Sequence, residues 1–162
     1  MQHLNQLLER LVRAEVECVL IGGFAAIAHG SSLQTRDVDV CIRLGEKNLR
    51  RIQTAFEGFH PVHRARPDIP LNLTSELCAR LKNLYLKTDL GIVDCLGEVL
   101  GIGGYEDALR HSVPLDFPFG TCRLLDLDTL IKSKEALGRP HDLITVEQLK
   151  AVKAHNSKNL ID

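Results

Sequence analysis

The segment DVDVCIR carries two aspartates, Asp37 and Asp39, one residue apart, and thirteen residues upstream of them a hydrophobic run ends in Gly22-Gly23. Carboxylates at i and i+2 of a strand project from one face, close enough to share divalent cations. Glycines after a strand let the backbone come close to a phosphate, and the free N–H groups that open the next helix donate to phosphate oxygens. Taken singly, Gly-Gly is ordinarily a turn and Asp-x-Asp a solvated strand edge. In the order strand, glycines, helix, strand, the two together describe a metal-assisted phosphate site. A further acid, Asp94, interrupts the apolar run Ile92-Val93-Asp94-Cys95-Leu96. A carboxylate there is costly to bury unless it is paired or binds metal.

Other residues carry weaker signals. The C-terminal run LIKSKEALGRPHDL groups Lys134, Arg139, His141 and Asp142, which a solvated helix face and an ordinary interhelical ion pair explain about as well as a phosphate site does. His141-Asp142, without companion histidines, supplies too few ligands for a hydrolytic metal centre. Ser31 and Ser32 have no base implied beside them. Thr35 and Arg36 adjoin the acid pair and serve equally as nucleotide contacts or an exposed turn. Arg50-Arg51 and Arg64/Arg66 form either an acceptor-binding patch or plain charged surface.

These residues need a scaffold, and the hydrophobic pattern supplies one. Leu4, Leu7, Leu8 and Leu11 stripe one face of an opening helix. Val16 to Ile21 reads as a buried strand, Phe24 to His29 as a short helix packed back on it, and Asp37 to Arg43 as a strand with one solvated face. Glu46 to Phe59, with Leu49, Ile52, Phe56 and Phe59 at helical spacing, is a second covering helix. Pro61, Pro67 and Pro70 mark an irregular stretch, and Glu76 to Leu81 is open between helix and strand. Asn83 to Thr88 and Ile92 to Leu96 form a β-hairpin around the three-residue loop Asp89-Leu90-Gly91. Gly97 to Gly104 reads as loop, Tyr105 to His111 as a short helix, VPLDFPF as a proline-rich connection and Thr121 to Leu125 as the last strand. A helix from Asp128 to Leu137 stops at Gly138, and Pro140 starts a final one to about His155.

The glycines, the spacer and the Asp-x-Asp pair together resemble the signature of polymerase-beta-like nucleotidyltransferases. The resemblance implies an α/β (α+β) nucleotidyltransferase fold: a small mixed β-sheet with helices mainly on one face, the acids on the other, and C-terminal helices at the cleft. It implies Gly22 and Gly23 lining a nucleotide's phosphates and Asp37 and Asp39 holding two Mg2+ (or Mn2+). One ion binds a nucleoside triphosphate. The other activates an acceptor hydroxyl, which attacks the α-phosphorus and expels pyrophosphate. The family carries a third carboxylate between apolar residues on a later strand, and Asp94 matches it, with Asp89 and Glu98 as alternatives. Lys134, Arg139 and Asp142 resemble a run found in a small bacterial branch of the family, although His141 and Thr145 depart from its pattern. Lys134 would then reach the triphosphate, and Arg139 would contact nucleotide or brace the helix junction through Asp142. The acceptor stays open among a small molecule, an RNA end and a protein. A non-catalytic nucleotide-binding protein and a toxin–antitoxin component of the same fold remain alternatives, the latter with a small helical protein partner; a homo-oligomer is equally open.

The whole chain agrees with one domain over 1–162: 162 residues, 44% hydrophobic and 25% charged, suffice for one core. A net charge of −1 gives no global field to draw in long nucleic acid. Five scattered cysteines without a C-x-x-C pair read as reduced core residues. No apolar run reaches the roughly 18 residues of a membrane span, and the first ten residues lack a signal-peptide core; the expectation is a cytoplasmic protein.

Overall fold

The computed structural model describes residues 2–160. Seven helices and nine strands run α1 (Gln2–Arg13), β1 (Cys18–Ile21), α2 (Gly22–His29), β2 (Asp37–Ile42), α3 (Glu46–Ala55), β3 (Val62–His63), α4 (Ser75–Arg80), β4 (Asn83–Thr88), β5 (Gly91–Leu96), β6 (Glu98–Val99), β7 (Gly103–Gly104), α5 (Tyr105–Arg110), β8 (Ser112–Phe117), β9 (Gly120–Leu125), α6 (Leu127–Leu137) and α7 (Pro140–Asn159). Seven strands make one mixed sheet in the order β3-β4-β5-β2-β1-β9-β8. The β2/β5 and β1/β9 pairs are parallel and the others antiparallel. This is the expected mixed α/β architecture.

The stripe of α1 explains its docking. Leu7, Leu8 and Leu11 are completely buried and Leu4 nearly so, and the helix lies against β2, β5 and β9. Burying each leucine stabilises by about 1.5–3 kcal/mol. Strand alternation then divides the two faces of β2: Val38, Val40 and Ile42 turn into the core, while Asp37, Asp39 and Cys41 share the opposite face. The far end of that second face is roofed by α5, whose Asp107 acts on Cys41, so the open part of the face is the part that carries the aspartates. All five cysteines are free, and burial pushes the thiols of Cys18 up to about 12 and of Cys41 and Cys122 up to about 11. They are packing groups.

Several elements differ from the pattern-based expectation. The β4–β5 turn has two residues, Asp89-Leu90, because Gly91 already pairs with Thr88; Gly91 takes φ +135°. Glu76 to Leu81 resolves as helix α4, started by the Thr74 side chain, which accepts from the Leu77 N–H at 3.2 Å. The glycine-rich loop contains the ribbon of two-residue strands β6/β7, and VPLDFPF supplies most of strand β8, an edge strand in which proline is tolerated. The second covering helix ends at Ala55 rather than Phe59. Among the described residues no helix is long and apolar enough to cross a membrane.

Candidate nucleotide and metal site

A cleft of about 920 Å³ opens over the acid face, and its walls include Gly22, Gly23, Asp37, Asp39, Asp94, Lys134 and Arg139. Residues far apart in sequence meet here because the register aligns them. Ile21 opposes Asp39, Asp39 opposes Asp94, and Asp94 opposes Tyr85, while the Arg64 N–H donates to the Tyr85 carbonyl at 2.8 Å. Directly opposed residues point to the same face. One row therefore runs Arg64, Tyr85, Asp94, Asp39, Ile21, with Asp37 one pleat away from Asp39.

At the end of that row the chain turns from β1 into α2 through Gly22, at φ +70°. The left-handed conformation favours glycine, and a Cβ on Gly22 would collide with the Asp39 carboxylate. A Cβ on Gly23 would sit 2.9 Å from the Cβ and Oγ1 of Thr35, so the helix start also packs tightly on the loop before β2. No side chain caps the first turn of α2, which leaves its N–H groups free at the edge of the cleft. Gly22→Ala is therefore expected to lower stability by about 1–2 kcal/mol through backbone strain and to displace the Asp39 carboxylate. Thermal melting of the variant checks the first effect and cation titration the second.

The loop between α2 and β2 is held from the far end of the chain. Gln148 of α7 accepts from Ser31 Oγ at 2.9 Å and from the Ser32 N–H at 3.1 Å, and Gln148 Nε2 donates to Ser32 Oγ at 3.2 Å. His29 Nε2 lies 2.7 Å from the Leu125 carbonyl, tying α2 to β9. The two serines are thus wall anchors with no base at hand.

Electrostatics mark the acid face as a place that wants positive charge. Burial, reinforced by Asp94 and Asp37, pushes the Asp39 pKa up to about 6, against the opposing pull of Lys134 and Arg139. Burial also raises Asp94, with Arg64 opposing and Asp37 adding to the rise. Asp94 Oδ1 is buried and has no hydrogen-bond partner among the described residues, while Asp94 Oδ2 accepts from Arg64 Nη1 at 3.3 Å. An orphaned, buried carboxylate oxygen is an expensive group, and a divalent cation is the partner that suits oxygen donors of this kind. Asp37, Asp39 and Asp94 are accordingly the residues that could hold a divalent cation in the cleft. No three His, Cys, Asp or Glu side chains among the described residues converge into a ready cation cage, so phosphate oxygens would have to complete the coordination.

Lys134 and Arg139 reach the cleft from the α6–α7 junction. Gly138, at φ +65°, ends α6, and Pro140 opens α7. Asp142, completely buried, accepts from Lys134 Nζ at 3.2 Å and from Arg139 Nε and Nη2 at 2.6 and 3.3 Å. Of the bland alternative, the solvated face fails for Lys134, whose side chain is only 7% exposed, while the interhelical ion pair is what Lys134 makes with Asp142. Arg139 braces the junction and remains 55% exposed. Of the alternative third acids, Asp89 sits at the β4–β5 turn, paired with His60, and Glu98 lies on the rim of the cleft. Two participants carried little or no sequence signal: Tyr85, and Arg64 in its contact with Asp94.

No protein-family model and no curated protein matches the chain. Six chains of solved structures do. One is the crystal structure of a proposed nucleotidyltransferase from H. pylori, with 14% identity and a TM-score of 0.45 over 82% of this chain. The match covers 55% of that protein, so the chain spans about half its length.

Proposed function

We propose that the protein is a metal-dependent nucleotidyltransferase that moves a nucleoside monophosphate from a nucleoside triphosphate to an acceptor hydroxyl, releasing pyrophosphate. The observation that carries this reading is the cross-strand row itself: Asp39 and Asp94 directly opposed, Asp37 beside them, and the uncapped start of α2 at Gly22 against Asp39. Divalent cations bound by the three carboxylates would hold the triphosphate and lower the pKa of the acceptor hydroxyl. The free N–H groups of α2 donate to phosphate oxygens. Lys134 Nζ uses one hydrogen bond on Asp142 and keeps donors for a β- or γ-phosphate. Asp94 stands on the Tyr85 side of Asp39, so a cation that it helps to hold would face an acceptor arriving from that side. In-line attack at the α-phosphorus then forms one P–O bond, releases the hydroxyl's proton to water and breaks the bond to pyrophosphate.

A nucleotide-binding protein without transfer activity, a sensor or a toxin–antitoxin component, is the competing reading. The Arg64–Asp94 pair and the lack of a ready cation cage among the described residues favour it. Incubation with each α-labelled nucleoside triphosphate, magnesium and fractionated RNA, protein and small-molecule acceptors separates the two. Transfer predicts label on an acceptor, lost in Asp39→Asn. Tight nucleotide binding with label remaining only on the nucleotide in every fraction would sink the enzyme reading.

A further inference from the structure

Arg64 holds the one oxygen of Asp94 that has a partner. Its Nη1 reaches Asp94 Oδ2 at 3.3 Å, and its Cζ lies 5.3 Å from the centroid of the Tyr85 ring. The backbone that carries it is fixed by the pairing of β3 with β4, yet the side chain is 41% exposed, against 15% for Asp94. A single-donor, partly solvated ion pair of this kind is weak. The guanidinium can be displaced; the carboxylate beneath it cannot leave the cleft floor.

We infer that Arg64 is a resident counter-cation that keeps Asp94 from a divalent cation until nucleotide arrives, so that metal and nucleotide enter together. The inference rests on the metal-dependent reading above. Without nucleotide, a cation reaching Asp94 must push aside a positive charge and find its remaining ligands in water. With nucleotide present, the phosphates add negative charge that outweighs the arginine and offer its freed guanidinium an anionic partner.

Mn2+ titrated alone, followed by spin resonance or calorimetry, tests the idea on the intact chain. Arg64→Ala should bind Mn2+ about tenfold more tightly than the parent, with Arg64→Lys in between, because a like charge beside the site is removed or loosened. The gain should vanish in the Asp94→Asn background and shrink to about threefold or less when nucleoside triphosphate is present. Equal or weaker Mn2+ binding by Arg64→Ala overturns the inference, since the arginine then contributes nothing or helps to build the site. If neither the parent nor Arg64→Ala binds Mn2+, with or without nucleotide, the metal centre itself fails and the proposed function falls with it.

Discussion

Asp39→Asn is expected to melt about 5 °C above the parent at pH 8 without metal, and below it once magnesium and a nucleoside triphosphate are added. The sign follows from the raised pKa. Asp39 titrates near 3.8 when unperturbed and is pushed up to about 6 in the fold. Its ionisation is therefore disfavoured by the folded state. The folded state binds the proton more tightly, so this contribution to stability is full below the unfolded value and is lost as pH rises through about 6. A shift of that size corresponds to at most about 3 kcal/mol, and roughly 2 kcal/mol remains after allowance for the asparagine that replaces it. Near pH 4 the parent and the variant should melt together. Ligand inverts the order, because a cation–nucleotide pair that binds only the folded form adds about 2.7 kcal/mol at one hundred times Kd, and the variant forgoes most of it. Label transfer should fall by at least about a hundredfold, as expected when a charge aimed at the transition state is removed. Asp94→Asn separates the roles. If it keeps the full ligand-induced shift while Asp37→Asn and Asp39→Asn lose it, Asp94 is no ligand; if all three keep it, there is no metal centre.

The acid face was legible in the sequence because its signals are local. Period-two alternation in DVDVCIR decides that Asp37 and Asp39 share a face whatever the sheet order, and an acid inside an apolar strand announces a partner. The neighbours of that face were not legible, because they depend on which strands lie side by side. Nothing in a single sequence says that β5 runs parallel to β2 with Asp94 opposite Asp39; the β4–β5 hairpin was expected, but a loop of two rather than three residues sets Tyr85 instead of Leu86 opposite Asp94. Arg64 was obscured by the prolines around it, which read as irregular chain and hid the two-residue strand β3 that anchors it. Proline also hid β8: Pro114 pairs with Arg123 at the sheet edge, where its missing N–H costs no ladder bond. The case of Lys134 differs again. Helical spacing alone cannot tell a solvated lysine from one bent inward. The difference is made by Gly138 and Pro140, which fold α7 back on α6 and set Asp142 beneath the ammonium.

Asp142 is accordingly the polar residue of the cleft's wall junction whose loss should cost the fold most. Burial pushes its pKa up, but hydrogen bonds from Arg139 and Lys134 outweigh that and hold it below the ordinary carboxylate value. A depressed folded-state pKa means stability that is present above the unfolded value and is lost as pH falls through the folded one. Asp142→Asn removes the charge while keeping the shape, and leaves the Lys134 ammonium buried without its counter-ion. Breaking a buried pair in this way costs about 3–5 kcal/mol, or roughly 10 °C in melting temperature for a chain of this size. Lys134→Met should cost much less, because Arg139 still neutralises Asp142 from the surface. The double variant Asp142→Asn/Lys134→Met should regain part of the loss, since no unpaired charge is then buried. The difference between parent and Asp142→Asn should also narrow in acid, as the parent carboxylate is protonated. Melting curves for the parent, the two single variants and the double variant at pH 7 and at successive pH values below 3.8, the ordinary value for this carboxylate, contain the whole test. If Asp142→Asn melts within about 1 °C of the parent at pH 7, the junction does not depend on this ion pair. Lys134 would then be held in the cleft by packing alone, and its availability to a triphosphate would have to be explained without Asp142.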